Sequence, residues 1–183
     1  PVVTLIIHGN HINSPFWNLE NRKVNGIEAT MTQLFTAEEL KAASTDEVNR
    51  AIKEAFRYDE YKWQRERGIR VYFSKRAEGL HKVLYQCPAC GAEYRMTSKG
   101  THLICENCGK SWTLSELLEL SGDDGVTEFA HIPDWYEWER ENVRRKVEAG
   151  TYRFEAKVNV DSLPNAKGFQ HLGEGTLVHD MEG

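Results

Sequence analysis

The sequence predicts an α+β protein, and three stretches carry that reading. The first is Cys87-Pro88-Ala89-Cys90 with Cys105-Glu106-Asn107-Cys108, two C-x-x-C pairs separated by the insert Gly91 to Ile104. The second is Val2-Val3-Thr4-Leu5-Ile6-Ile7, a continuous apolar run of the kind found in strands buried on both faces, with helical patterns after it. The third is Tyr152 to Val160, where apolar and polar residues alternate with the period of a half-buried strand. Together they divide the chain into an α/β part over residues 1–73, a cysteine ribbon over 82–121, and a helix with a small antiparallel unit over 126–183.

The apolar run opens straight from Pro1, and Thr176-Leu177-Val178-His179 reads as a strand close to the last residue, Gly183. Both ends therefore read as cut from a longer chain. The loop His8-Gly9-Asn10-His11-Ile12-Asn13-Ser14-Pro15-Phe16-Trp17 follows the first strand, a location that in α/β sheets often faces a crevice. His8 and His11 are candidate ligands or acid–base groups there, against the plainer reading of satisfied loop hydrogen bonds. A second strand or turn is expected around Gly26-Ile27-Glu28. Thr36-Ala37-Glu38-Glu39 and Ser44-Thr45-Asp46-Glu47 are capping boxes, each opening a helix. Val48, Ala51, Ile52, Ala55 and Phe56 line one face of the second helix, which is expected to run on through Tyr58, Tyr61 and Trp63 to Gly68. Ile69 to Phe73 reads as a strand. Lys75, Arg76, His81 and Lys82 then lead to the cysteines, as a solvated linker or as a contact for an anionic head group or phosphate.

Two C-x-x-C turns can aim four thiolates at one point, filling a tetrahedral shell with no open position. Cys87, Cys90, Cys105 and Cys108 are therefore read as ligands of one structural zinc ion. Gly91 and Gly109 follow the two pairs, where a metal-binding turn needs positive φ. The insert reads as a hairpin, Glu93 to Met96 and Thr101 to Ile104 around Ser98-Lys99-Gly100, with Ser111-Trp112-Thr113 as a third strand. His102 is read as a strand residue, since four cysteines already fill the shell. The competing readings are two disulfides, which need an oxidising compartment, and four unrelated thiols.

Leu114 to Leu120 is expected as a short apolar helix, and Ser121-Gly122-Asp123-Asp124-Gly125 as a flexible break. A long helix follows, with Pro133 in its first turn, acids Asp134, Glu137 and Glu139 early, and Arg144, Arg145 and Lys146 late, matching the helix dipole. Gly150 is its natural stop. Trp135 and Trp138 are expected to pack on the following sheet, with a membrane interface as the competing reading. After the alternating strand, Leu163-Pro164-Asn165 turns the chain, and Phe169 to Leu172 pairs with Thr176 to His179 through Gly173-Glu174-Gly175.

The chain has 183 residues and a net charge of −5. No apolar run approaches the roughly 18 residues of a membrane span. An acidic chain without clustered Lys and Arg counts against nucleic acid as a partner.

Pro1 to Gly9, Pro-Val-Val-Thr-Leu-Ile-Ile-His-Gly, resembles the fourth conserved block of the glycerolipid acyltransferases. Phe35 to Tyr61, with Thr36-Ala37-Glu38-Glu39-Leu40 and Glu60-Tyr61, resembles the helical tail behind that block. The whole chain is similar to the C-terminal half of bacterial proteins described as 1-acylglycerol-3-phosphate acyltransferase-like that carry a four-cysteine insertion. The resemblance implies that residues 1–73 are the distal part of an acyltransferase α/β domain. It also implies an acyl donor and a lysophosphatidic-acid-like acceptor as partners, a role in phospholipid biosynthesis, and a cytoplasmic location with peripheral contact at the inner face of the membrane.

In that family a His, four residues, then an Asp form the catalytic element, with the His as general base. From His8 the Asp position falls on Asn13, from His11 on Phe16, from His81 on Gln86, from His102 on Asn107, from His131 on Tyr136 and from His171 on Thr176. The phosphate-binding acceptor motif is absent as well, since Arg76-Ala77-Glu78-Gly79 lacks its Phe-Pro lead. The resemblance thus implies a catalytic half upstream of Pro1 and no catalytic residue in this chain. A dyad assembled in space from His8 or His11 with Glu20, Glu28 or Asp59 is the remaining route to activity. The competing functions are a zinc-ribbon interaction module without catalysis and a metal-free redox protein using the cysteine pairs.

Overall fold

A computed structural model describes residues 1–20, 22–24 and 26–182. It is a mixed helix-and-sheet protein with three small antiparallel sheets. By their contacts the residues form two units, Pro1–Tyr136 and Glu137–Gly183.

In the first unit, β1 (Val2–His8) pairs antiparallel with β2 (Glu28–Phe35) alone. The expectation of a strand buried on both faces does not hold. Val3, Leu5 and Ile7 are about half exposed and lie opposite Gln33, Met31 and Ala29, while Thr4 is the one buried residue of the strand. A strand is buried on both faces only where other layers pack on both sides of its sheet, so an apolar run alone does not fix burial. A short helix, α1 (Asn10–Asn13), follows β1.

Both capping boxes form. Thr36 Oγ1 accepts the Glu39 N–H at the start of α2 (Ala37–Ala42), and Ser44 Oγ accepts the Glu47 N–H at the start of α3 (Thr45–Ala55). In each, the glutamate returns a 2.8 Å acceptor to the N-cap N–H. The helix expected to run to Gly68 is two helices. α3 ends with Phe56 as its C-cap, and α4 (Glu60–Glu66) starts afresh with the Asp59 carboxylate accepting the Lys62 N–H at 3.0 Å. An aspartate at that point offers the backbone a new N-cap, which competes with continuing the old helix. Val48, Ala51, Ile52 and Ala55 are only half-buried, and Phe56 is exposed.

Ile69 to Phe73 belongs to no strand. The Val71 N–H donates to Glu116 O at 2.8 Å, and Glu116 sits in a turn that offers no ladder. Residues 64–77 nonetheless brace the ribbon. Gln64 Nε2 reaches Glu116 O at 3.4 Å, the Ala77 N–H donates to Gly100 O at 3.0 Å, and Arg76 Nε donates to Leu114 O at 2.8 Å. Val71, Ala77, Leu80 and Leu84 are fully buried along this path.

The ribbon is a four-stranded antiparallel meander of β3 (Met96–Lys99), β4 (His102–Cys105), β5 (Ser111–Leu114) and β6 (Leu120–Gly122). The hairpin between β3 and β4 turns at Gly100-Thr101, and the third strand is where the sequence put it. The helix expected over Leu114 to Leu120 is the end of β5, a turn and the start of β6. Leu114 and Leu120 pair across the turn as the facing ends of β5 and β6, so this stretch joins the sheet instead of closing helical turns. Leu114, Leu118 and Leu120 instead enter the core with Leu103 and Trp112, each at most 2% exposed. Ser121 and Gly122 are part of β6 rather than a flexible break.

Trp135 is fully buried near the start of α5 (Ile132–Glu148). Its ring meets Trp112 edge-on at 5.0 Å, and its Nε1 donates to Gln86 O at 3.0 Å. It packs on the ribbon that precedes it in the chain, and a buried ring has no face to offer a membrane.

In the second unit, α5 ends as expected before Gly150, whose N–H donates to Val147 O at 3.0 Å. β7 (Arg153–Ser162) and β8 (Gln170–Asp180) pair along their whole length. The hairpin expected through Gly173-Glu174-Gly175 is absent, because these residues lie inside β8. Gly173 sits opposite Val160 and Gly175 opposite Val158, and a Cβ at Gly175 would lie 3.2 Å from Val160 Cγ2. Gly175 makes room for the neighbouring strand's valine rather than turning the chain, while a Cβ at Gly173 would meet nothing within 4 Å and it is the φ of 130° that favours glycine there.

Candidate metal centre

The cysteines sit on two structurally equivalent turns. In the first, the Gly91 N–H donates to Cys87 O at 2.8 Å and the Cys87 N–H donates to Ala92 O at 2.9 Å. In the second, the Gly109 N–H donates to Cys105 O at 2.8 Å and the Cys105 N–H donates to Lys110 O at 2.9 Å. Each turn closes with its glycine at positive φ, 74° at Gly91 and 76° at Gly109. A Cβ at either would meet nothing within 4 Å, so the backbone conformation and not crowding asks for glycine.

The sheet holds the two turns face to face. Cys105 ends β4 opposite Met96 of β3, while the first turn is tied to the sheet's edge through the Gln86–Glu93 bridge and the Glu106 N–H, which donates to Arg95 O at 2.8 Å. All four sulfur atoms lie within 4.8 Å of one another, with Cys87–Cys108 and Cys90–Cys105 each at 3.8 Å. A metal about 2.3 Å from four tetrahedral thiolates requires sulfur–sulfur separations of about 3.8 Å. The four side chains therefore form a cluster able to bind a metal ion, and there is no disulfide among them.

Cys87 and Cys105 are buried and Cys90 and Cys108 exposed, so the cluster lies at the surface with its inner half against the sheet. The backbone N–H of Ala92 draws the Cys90 thiol down to about 6 against the opposing effect of burial, with the Asn107 amide at 3.6 Å adding to the lowering. Burial pushes the Cys87 thiol the other way. N–H groups aimed at sulfur stabilise thiolates and orient them as ligands. His102 stands apart, exposed on β4, with Nδ1 at 3.2 Å from Thr113 Oγ1 and 3.5 Å from Asp123 Oδ2.

The other candidates from the sequence take structural roles. His8 stacks on Trp63 at 5.3 Å and shares a 3.0 Å hydrogen bond with Thr30 Oγ1. His11 shares a 3.2 Å bond with Tyr61 Oη, and burial, with Arg22 nearby, lowers its pKa. Among the described residues neither imidazole hydrogen-bonds a carboxylate, although Glu60 accepts the Ile12 N–H at 2.7 Å in the same loop and interacts electrostatically with His8. Glu28 pairs instead with Arg67 at 3.0 Å, and Asp59 accepts from His131 Nε2 at 2.9 Å. His131 Nδ1 faces Arg65 Nη1 at 3.2 Å, so Arg65 donates to it and the Nε2–H tautomer is fixed. With both ring nitrogens engaged, this His–Asp pair has no free nitrogen for a substrate.

A cleft of about 640 Å³ holds a second pair that the sequence did not signal. Ser98 Oγ accepts the Gly79 N–H at 2.9 Å and lies 2.7 Å from His81 Nδ1. Burial and Lys82 lower the His81 pKa. No carboxylate hydrogen-bonds His81, so the orienting acid of a catalytic triad is missing. Gly79 is at φ 86°, and a Cβ there would lie 2.4 Å from Trp17 O, where two stretches of chain cross at the cleft wall.

No helix among the described residues is long and apolar enough to cross a membrane. Comparison with protein-family models, with curated proteins and with solved structures gave no match.

Proposed function

We propose that Cys87, Cys90, Cys105 and Cys108 hold one structural zinc ion, and that the ribbon it closes belongs to an acyltransferase-like protein of glycerophospholipid synthesis. The observation that carries the zinc reading is the pair of 3.8 Å sulfur separations inside a cluster no wider than 4.8 Å. Four thiolates leave no coordination site for substrate, which makes the ion structural rather than catalytic. The acyltransferase reading is supported by the resemblance of Pro1–Gly9 and Phe35–Tyr61, and it assigns no catalytic step to these residues. A spatial dyad is the one alternative within the chain, and it would have to use Glu60, which interacts electrostatically with His8 while accepting the Ile12 N–H at 2.7 Å, because neither imidazole hydrogen-bonds Glu20, Glu28 or Asp59 among the described residues.

Native mass spectrometry tests the first part: one zinc equivalent is expected, lost with chelator. A metal-free protein with a fully protected ribbon would refute it. Incubation with acyl-thioester donors and lysophosphatidic acid tests the second, and no thiol release is expected from this chain alone. Turnover that survives chelation and disappears in His8→Ala would move the active centre into the loop after β1.

A second reading, a zinc-ribbon interaction module, is favoured by one feature. Tyr94 stacks on Tyr85 at 4.9 Å beside the first cysteine turn and is 59% exposed, an aromatic surface suited to a protein partner.

A further inference from the structure

Arg22 is only 6% exposed. Its Nη1 donates to Ile12 O at 3.4 Å and its Nη2 to Arg76 O at 2.7 Å, while its buried Nε has no acceptor among the described residues. Among the described residues no carboxylate pairs with it. Burial draws its pKa down to about 10; Tyr61 opposes that shift and the Arg76 guanidinium adds to it. Arg76 likewise gives its N–H groups to carbonyls, those of Phe73, Leu114 and Ser115. Buried guanidinium groups are ordinarily matched by an anion, because carbonyl dipoles offset only part of the cost of removing the charge from water.

Beside Arg22 lies a pocket of about 330 Å³ whose wall is Arg22, Lys23, Val24, Ile69, Arg70 and Tyr72. Three cations line it, and among the described residues no acid does. Arg70 pairs with Glu116 at 3.1 Å, but both side chains are well exposed, and such a pair exchanges readily for a better anion. The volume suits a small ligand, and Ile69 and Tyr72 give one side of the pocket an apolar and aromatic character.

We propose that this pocket binds a small oxyanion, inorganic phosphate or the phosphate of a monoester, with Arg22 and Arg70 supplying its countercharge. Arg22 is the fixed element, held by two carbonyls. Arg70 is the exchangeable one, leaving Glu116 to reach the ligand. A guanidinium matches phosphate oxygens in charge and in the spacing of its N–H groups. The assignment is independent of the acyltransferase reading, since it uses none of the residues that carry that resemblance.

The test is a calorimetric and ³¹P NMR titration of the zinc-loaded chain with inorganic phosphate, at constant ionic strength set by chloride. Saturable one-to-one binding is expected. Arg70→Gln should weaken it about tenfold, the loss of one charge-assisted contact. Glu116→Gln, which removes the competing carboxylate, should tighten it. Both variants change exposed side chains and leave the core alone, and hydrogen exchange checks that the fold is kept. Vesicles carrying phosphatidate separate the two sources of the ligand. Displacement of bound phosphate by the vesicles assigns a lipid head group, and its absence assigns a free phosphomonoester. No saturable binding at millimolar phosphate, or equal binding by wild type and Arg70→Gln, overturns the proposal.

Discussion

The ribbon sheet and the β7–β8 hairpin are both antiparallel, yet they are built on opposite terms. The ribbon's strands are three or four residues long, and they enclose Leu103, Trp112, Leu114 and Leu120, each at most 2% exposed. β7 and β8 are ten and eleven residues long, and neither holds a single buried side chain. The hairpin pairs ten residues in one long ladder, and the ribbon pairs four, three and three in its short ones, so the pairing is equal and only the ribbon has a core. Because a backbone hydrogen bond largely replaces one made to water, ladder length is a poor guide to stability and burial is a better one. A hairpin of two strands is marginal in water on its own. The ribbon escapes that limit through a leucine and tryptophan layer on one side and the cysteine cluster at its end.

Removing the metal ligand should produce the largest contrast. Apparent zinc binding energies of about 10–16 kcal/mol act as folding energy in small metal domains. In Cys105→Ser, amide protection should therefore be lost across β3–β6 while the β7–β8 amides exchange as they did before. Hydrogen exchange read by mass spectrometry, with zinc stoichiometry measured alongside, checks this. Loss of protection in both regions would erase the distinction.

A core truncation sharpens the same contrast at smaller scale. Trp112→Ala deletes the edge contact with Trp135 and the 3.0 Å bond from Nε1 to Glu128. It should cost about 3–5 kcal/mol. Phe154→Ala, in the half-exposed row of β7, should cost less than about 1.5 kcal/mol. Denaturant melts of the two variants against wild type give the comparison, and equal losses would mean that the hairpin has a core of its own.

The smallest effect is expected at Arg153, which pairs with Glu155 at 2.9 Å and Asp180 at 3.1 Å across the hairpin. These pairs are exposed. Arg153→Ala should shift stability by less than about 1 kcal/mol, and high salt should reduce the difference further. A larger loss would show that the hairpin relies on its ion pairs.

What the sequence made legible was local. The capping boxes at Thr36 and Ser44 and the two cysteine turns are each written within six residues, so spacing alone located them. The half-buried row Phe154, Ala156 and Val158 was legible for the same reason. Errors arose where a residue answers to something distant. Gly173 and Gly175 resemble turn residues until Val158 and Val160 are seen opposite them. The leucines at 114, 118 and 120 suit a short helix until a sheet edge is there to receive them. Asp59 meets His131 across 72 residues, and Arg22 is buried by Ile12 and Arg76, contacts that no periodicity encodes.

The crossing at Gly79 carries a consequence for how related sequences can vary. Residues 75–82 have the composition of a tolerant linker, yet position 79 is closed to substitution on two counts. Its φ of 86° excludes most side chains, and a Cβ would stand 2.4 Å from a main-chain oxygen that no rotamer change can move. Lineages carrying this fold are free to exchange Lys75 or Lys82 for other polar residues while retaining one glycine between them. A saturation library scored for soluble expression would accept other small or apolar residues at the buried Ala77 and Leu80 but none in place of Gly79, marking from genetics alone the place where two segments of backbone touch.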